Sequence, residues 1–258
     1  MSKNVLVLTY WGFDDALIQT YTLPYVELIR NNIGPDSKLL VVTQEPSNPR
    51  RLELMASNKS DVYTLIPMKY TPFGFRAMFR LIAMIFKLRR IIKRNNIQTL
   101  HCWCTPAGAI GVLVQKIVRC ELVIDSFEPH AENMVENGTW SKSSMAYKLL
   151  MKFEKKQARK AKHLIGLTER MKDYTRKTYG VERDDLFVKP SAVNLELFNP
   201  EHYSGIREQL GFKTVDLICV YAGKIGGIYL EDEIFRFWKK PLTPGTILST
   251  STIPRGSI

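Results

Sequence analysis

Histidine and cysteine are scarce in this sequence, with four of each in 258 residues. The cysteines are Cys102, Cys104, Cys120 and Cys219. Cys102-Trp103-Cys104 places two thiols on the same face of a strand, and no second pair follows at the spacing of a zinc site. So few thiols exclude a disulfide scaffold, and free buried thiols of a reducing cytosol are the reading they support over a metal or redox centre. Long apolar runs are also missing. The densest, Leu81–Phe86, is flanked by Arg80 and Lys87 and falls far short of the ~18 residues a membrane-crossing helix needs. Only Lys3 precedes the short run Val5–Leu8, and aromatics and acids follow it, which reads as a first strand rather than a signal peptide. The P-loop signature is absent, and no internal repeat is evident. Acidic residues are missing from the whole of 71–120, which carries nine basic ones.

What is present is an ordinary globular composition: 45% hydrophobic, 10% aromatic and 24% charged. That balance excludes disorder and collagen-like repeats, and the length suits one large domain or two small ones. The formal charge of +12 is unevenly spread. Residues 1–70 and 191–258 are each balanced, with seven basic and seven acidic groups. Residues 121–140 hold five acids and no base, while 141–190 hold fourteen bases and six acids. The cationic excess therefore sits in two blocks around an acidic island.

The hydrophobic pattern alternates between strand and helix. Short apolar runs predict strands at 4–10, 38–43, 62–66, 97–102, 121–125, 163–167, 187–189 and 217–221. Wider spacing predicts helices at 16–31, 75–95, 106–118, 145–162 and from Thr168 through Tyr179. Such alternation with apolar strands means a parallel sheet covered on both faces, the doubly wound, Rossmann-like α/β class. These sheets bind ligands beyond the carboxyl ends of their strands. The segments at that edge are Tyr10–Asp15, the acidic loop Asp125–His130, Thr168-Glu169, and Gly223-Lys224-Ile225-Gly226-Gly227. Thr168 and Glu169 read as a helix cap and first-turn acid.

Several of these pieces together resemble the retaining glycosyltransferases of family 4, which have the two-domain GT-B fold. Val188-Lys189-Pro190-Ser191-Ala192-Val193-Asn194-Leu195-Glu196-Leu197-Phe198-Asn199-Pro200 is similar to the segment leading out of that family's N-terminal domain. Val220–Lys224 looks like the first strand of the C-terminal domain with its glycine turn. Leu6–Gly12 and Thr20–Pro24 look like the opening strand, turn and first helix, and Asp125–Trp140 resembles the acceptor-facing loop. The resemblance implies a nucleotide-sugar donor, a glycan or lipid-linked glycan acceptor, hexosyl transfer with retention, and no metal. It also implies an acceptor-side domain over 1–198 and, over 199–240, a linker with the start of a nucleotide-sugar-binding domain. A complete second domain needs about 150 residues, and the family's paired-glutamate signature is not found. Residues 241–258 carry no acid and no helical period, and they read as an irregular tail, the end of a truncated or frame-shifted chain.

Within that resemblance, Gly223, Lys224, Gly226 and Gly227 would bring backbone N–H groups and an ammonium against a diphosphate; a plain tight turn is the bland alternative. Gly12 would give the donor's reacting end room, or else serve as a left-handed turn residue. Asp125, Glu128 and His130 are the catalytic candidates, in a loop able to bind acceptor hydroxyls or stabilise a cationic sugar. His130 is assigned to positioning and electrostatics rather than to general base, with Glu128 second to it.

The basic stretches 73–94 and 148–162 remain. Apolar positions Phe75, Met78, Phe79, Ile82, Ile85, Phe86 and Ile92 first suggest a helix face packed on the sheet. The sharper reading is a peripheral membrane face attracted to anionic headgroups, which would set the protein in the cytoplasm against the inner face of the membrane. Nucleic acid is disfavoured because no recognised module is present and aromatics are not interleaved as a stacking platform. The rival readings are a non-catalytic basic module that docks on membrane or polyanion, and an enzyme like the nucleotide-sugar 2-epimerases, which share the fold.

Overall fold

A computed structural model describes residues 3–45, 60–70, 75–222, 231–239 and 247–251. The chain divides into two units, Met1–Ser191 and Ala192–Ile258, a few residues before the expected boundary at 198.

The first unit is built on strands β1 (Val5–Leu8), β2 (Leu39–Glu45), β3 (Thr64–Lys69), β4 (Thr99–Trp103), β5 (Glu121–Phe127), β6 (His163–Gly166) and β7 (Leu186–Val188). Among the described residues they form one seven-stranded sheet in the order β3-β2-β1-β4-β5-β6-β7, with every pairing parallel. The doubly wound class expected from the sequence is the class observed. Every residue of β1 and β2 is buried, as a strand covered on both faces requires. Pro67 sits within β3, where its missing N–H is tolerated because β3 is an edge strand.

The helices are α1 (Leu23–Asn32), α2 (Phe75–Arg94), α3 (Thr105–Gln115), α4 (His130–Glu136), α5 (Met145–Lys160) and α6 (Arg170–Tyr179). Val26 of α1 packs with Val5, Val7, Val41 and Trp103 on one face of the sheet. Leu88 and Ile92 of α2 pack on the other with Ala107 and Ile110 of α3, Ala158 of α5, and Met171 and Tyr179 of α6. The opening helix differs from the expectation of 16–31: a π-helical turn, Ile18–Thr22, precedes α1, and Pro24 stands in the first turn of α1. α6 starts one residue later than expected, with Glu169 rather than Thr168 at its cap and no side-chain capping bond. Gly180, at φ 60°, ends it in the left-handed region that glycine adopts at least cost. Glycine also sets the spacing of α3, because a Cβ on Gly111 would lie 2.6 Å from Cys102 Sγ.

The cysteines Cys102 and Cys104 are buried free thiols and Cys120 is half-buried. Burial pushes the Cys102 thiol well above its usual range and the Cys120 thiol up to about 11, the inert state of a packing residue. No helix among the described residues is long and apolar enough to cross a membrane.

The second unit contains a 3₁₀ turn, Pro200–Tyr203, entered through Asn199, whose side chain accepts the Glu201 N–H at 3.0 Å. The helices α7 (Ile206–Gln209) and α8 (Glu231–Lys239) and the strands β8 (Ile218–Ala222) and β9 (Ile247–Ser251) follow. β8 and β9 pair in parallel, so β8-α8-β9 is a crossover unit of the kind parallel pairing requires. The stretch 241–258, expected to be irregular, therefore contains a strand. Its Ser/Thr-rich sequence has too few apolar residues to announce one.

Candidate functional site

Strand order reverses between β1 and β4: the chain winds outward through β2 and β3, then returns to β4 beside β1. In open α/β sheets that switch point opens a crevice at the carboxyl edge. The segments after β1, β4, β5 and β7 meet along that edge, within the first unit.

The segment after β1 is stitched to the end of β2. Gln44 N–H donates to Trp11 O at 3.1 Å, and Phe13 N–H donates to Glu45 Oε1 at 2.7 Å. Glu45 is buried, and a Cβ on Gly12 would stand 2.9 Å from Glu45 Oε2. Gly12 is not among the positive-φ glycines, so the left-handed alternative is set aside. Its hydrogen side chain is needed for close approach to a buried carboxylate.

β4 and β5 end in two unusual backbone conformations. Cys104 has φ 75° and ψ 159°, and Ser126 has φ 52°, regions that cost a non-glycine residue about 1–3 kcal/mol. They are linked, since Cys104 N–H donates to Asp125 O at 2.9 Å. The pairing of β5 with β6 shifts register between Ile124 and Phe127, a bulge that re-aims the strand end.

That bulge separates the three catalytic candidates. Asp125 is not in a loop with the other two; it lies within β5, with its side chain 2% exposed. Its Oδ2 accepts from Lys189 Nζ at 2.7 Å and lies 3.3 Å from His101 Nε2. Burial alone would raise the Asp125 carboxyl, but the hydrogen bonds and charges of His101 and Lys189 outweigh it and hold the group below its usual range. The Lys189 ammonium lies 3.8 Å from the Tyr25 ring centroid, 4.1 Å from that of Trp103 and 4.9 Å from that of Tyr21. Desolvation by this cage depresses the ammonium against the pull of Asp125. His101 stacks on Trp103 with centroids 5.5 Å apart.

Glu128 and His130 form the second group. Glu128 is pinned through its backbone: Thr105 Oγ1 donates to Glu128 O at 2.9 Å and accepts Glu128 N–H at 3.2 Å. Glu128 Oε1 stands 2.8 Å from His130 Nδ1, and both side chains are partly exposed. An ionised carboxylate only accepts, so Nδ1 carries the hydrogen of this contact; in the neutral ring Nε2 then has a free lone pair, and in the imidazolium it is a second donor. His130 is the first residue of α4 rather than a loop residue. The next N–H, of Ala131, donates at 2.8 Å to Glu154 Oε1, while Tyr179 O–H donates at 2.8 Å to Glu154 Oε2. Glu154, fully buried on α5, thus anchors the helix that presents His130. Burial raises its carboxyl despite those two hydrogen bonds.

The structure therefore brings Glu128 and His130 together, sets Asp125 apart with Lys189 and His101, and gives Gly12 a packing role at the same edge. Gly223, Lys224, Gly226 and Gly227 lie outside the described residues. Sequence reasoning missed Lys189, His101, Glu45 and Glu154. Lys189 and Glu45 had a signal: each is a charged residue at the carboxyl end of an apolar strand. An open groove lined by Lys3, Gln98, Arg119, Cys120 and Glu121 lies at the amino edge instead, away from this chemistry.

The glycosyltransferase family 4 model matches residues 36–197. No curated protein shows significant sequence similarity to the chain. Among solved structures, sucrose-phosphate synthase from Thermosynechococcus elongatus superposes with a TM-score of 0.72 at 14% identity, covering 99% of this chain and 64% of that one. Anabaena HepE in complex with UDP gives a TM-score of 0.62 at 14% identity, covering 95% of this chain and 60% of that one. UDP-N-acetylglucosamine 2-epimerase from Rickettsia bellii gives 0.55 at 14% identity, covering 99% and 63%. The chain thus spans less than two thirds of the length of these structures, and at such identities the likeness speaks to the fold.

Proposed function

The chain belongs to glycosyltransferase family 4, and we propose that it takes part in transferring a hexosyl group from a nucleotide-sugar to a hydroxyl of a glycan, lipid-linked in the cell. The observation that carries this reading is the Glu128–His130 pair at the carboxyl edge of the sheet, 2.8 Å apart and open to solvent. Nδ1–H held by the carboxylate leaves Nε2 to accept a hydrogen bond from an acceptor hydroxyl and fix its direction of approach. When protonated, the same imidazole would place positive charge beside the departing diphosphate.

In the transfer, the acceptor oxygen forms a bond to the anomeric carbon, and the bond from that carbon to the diphosphate breaks. The acceptor approaches on the face from which the diphosphate departs and passes its proton to that diphosphate, so no strongly basic side chain is required, and same-face attack retains the configuration. Asp125, already paired with Lys189 and His101, holds the strand end in shape rather than meeting the sugar. Gly223, Lys224, Gly226 and Gly227 are the reading's residues for the diphosphate, by their sequence. HepE was solved with UDP and with UDP-glucose, which makes a uridine nucleotide-sugar the first donor to try.

The 2-epimerase likeness is one of fold, and the family match favours transfer over epimerisation. Titration with UDP-glucose and other nucleotide-sugars, followed by assay of released nucleotide, tests the proposal. Saturable donor binding with nucleotide release is expected. Absence of both would leave the non-catalytic module, and a sugar epimerised without an acceptor would favour the other enzyme.

A further inference from the structure

The helix α2 has two faces of different fate. Leu81, Met84, Leu88 and Ile92 turn toward the sheet and join its core. Met78, Phe79, Ile82 and Phe86 turn away, with exposures of 57%, 66%, 44% and 59%. At 3.6 residues per turn these four fall within one sector of about 100°, so they make a continuous apolar stripe. The sequence expectation that Met78, Phe79, Ile82 and Phe86 pack on the sheet is corrected: the apolar residues of α2 run around more than half of its circumference, and the sheet covers only the side of Leu81, Met84, Leu88 and Ile92. Twenty helical residues extend about 30 Å, whereas strands of four to seven residues extend about 13–23 Å. α2 follows β3 and runs back toward the start of β4, so its first turns overhang the carboxyl edge of the sheet, the edge that carries His130. Burial follows the same gradient, from Leu81 and Met84, partly buried, to Leu88 and Ile92, fully buried.

Charge surrounds the stripe. Arg80, Lys87, Arg90, Lys93 and Arg94 are exposed on α2, and no acidic residue occurs anywhere in 71–120. α5, packed on the same face of the sheet, exposes Lys148, Lys152, Arg159 and Lys160 beside Met145 and Leu149. We propose that this face docks the protein on an anionic lipid bilayer, with the α2 stripe entering the headgroup region and the flanking cations paired with lipid phosphates. A convex apolar ridge with cations on its flanks fits a bilayer surface. A second copy of the chain does not fit, because it would press two cationic surfaces together. Nucleic acid fits less well, because Met78 and Ile82, half of the stripe, offer nothing for a base to stack on and the two rings, Phe79 and Phe86, stand seven residues apart.

The docking stands on the surface alone. Only its consequence, that lipid-linked acceptors are met at the His130 edge, rests on the transfer reading. Co-sedimentation of the purified chain with vesicles of equal parts phosphatidylglycerol and phosphatidylcholine, against phosphatidylcholine alone, tests it. The expected result is binding to the anionic vesicles, weakened about tenfold or more in the Ile82→Ser/Phe86→Ser variant with its circular dichroism unchanged. Donor turnover on a soluble acceptor should be the same in that variant, which separates failure of docking from failure of the transfer reading. Three results overturn the proposal: no binding to anionic vesicles, variant binding equal to wild type, or a wild-type dimer that the variant dissolves without any vesicle binding.

Discussion

Lys189 donates to Asp125 at 2.7 Å across 64 residues of sequence, and the same ammonium is enclosed by the rings of Tyr25, Trp103 and Tyr21. The last strand of the first unit is thereby pinned to the middle of the sheet at the edge where ligands are expected. The pair joins β5, the bulged strand that leads to Glu128 and His130, with the exit of the chain from β7.

Removing one partner should cost more than removing both. Lys189→Met leaves a buried carboxylate with only His101 and the Ser126 hydroxyl to face it, and is expected to destabilise by about 3 kcal/mol. Asp125→Asn combined with Lys189→Met should cost clearly less than the two single changes added, a coupling that chemical denaturation of the four proteins would measure.

The pH dependence of Asp125 has a definite sign. Its folded-state value lies below the ordinary one, so the stability it contributes is fully present above the unfolded value. That contribution is lost as pH falls through the lowered folded value. Below about pH 4 the wild type should lose unfolding free energy more steeply than Asp125→Asn, as followed by urea denaturation at several pH values.

Glu154 has the opposite sign. Burial raises its carboxyl, so the unfolded chain releases this proton first and stability declines as pH rises from about 4. Glu154→Gln should flatten that decline. Loss of one properly matched hydrogen bond should cost about 1–2 kcal/mol and loosen the start of α4, seen as faster amide exchange at Ala131.

Gly12→Ala tests the close approach to Glu45. A methyl 2.9 Å from Oε2 of a buried carboxylate whose Oε1 is already bonded to Phe13 N–H must displace either the segment after β1 or Glu45 itself. The expected cost is about 1–3 kcal/mol, read as a lowered Tm. Glu45→Gln should lose only the charge of the bond to Phe13 N–H.

Much of the fold was legible because burial on both faces of a parallel sheet leaves a strong signal: Leu39–Val42 and Val5–Leu8 are uninterrupted apolar runs. The π-helical turn at Ile18–Thr22 was not legible, since its apolar spacing imitates an α-helix. Of the site, the Glu128–His130 pairing could be anticipated from proximity in sequence. The parting of Asp125 from that pair could not, because it depends on a bulge set by Ser126 and on Lys189, 64 residues away. Glu154 was hidden for a similar reason. It lies in a very basic helix, where a lone acid reads as a surface ion-pair partner, and only tertiary packing shows it buried beneath His130. The α2 stripe shows the converse failure, since periodicity reports that a helix has apolar residues on one side and does not say how much of that side the sheet covers.

The central claim is that the edge bearing Glu128 and His130 acts in sugar transfer, and turnover of a labelled nucleotide-sugar by wild type and His130→Ala tests it most directly. Measurable turnover by the wild type and a loss of about 10²-fold or more in the variant are expected, with donor affinity and thermal stability little changed. A variant as active as the wild type, or a wild-type chain that neither binds nor turns over any nucleotide-sugar, would contradict it.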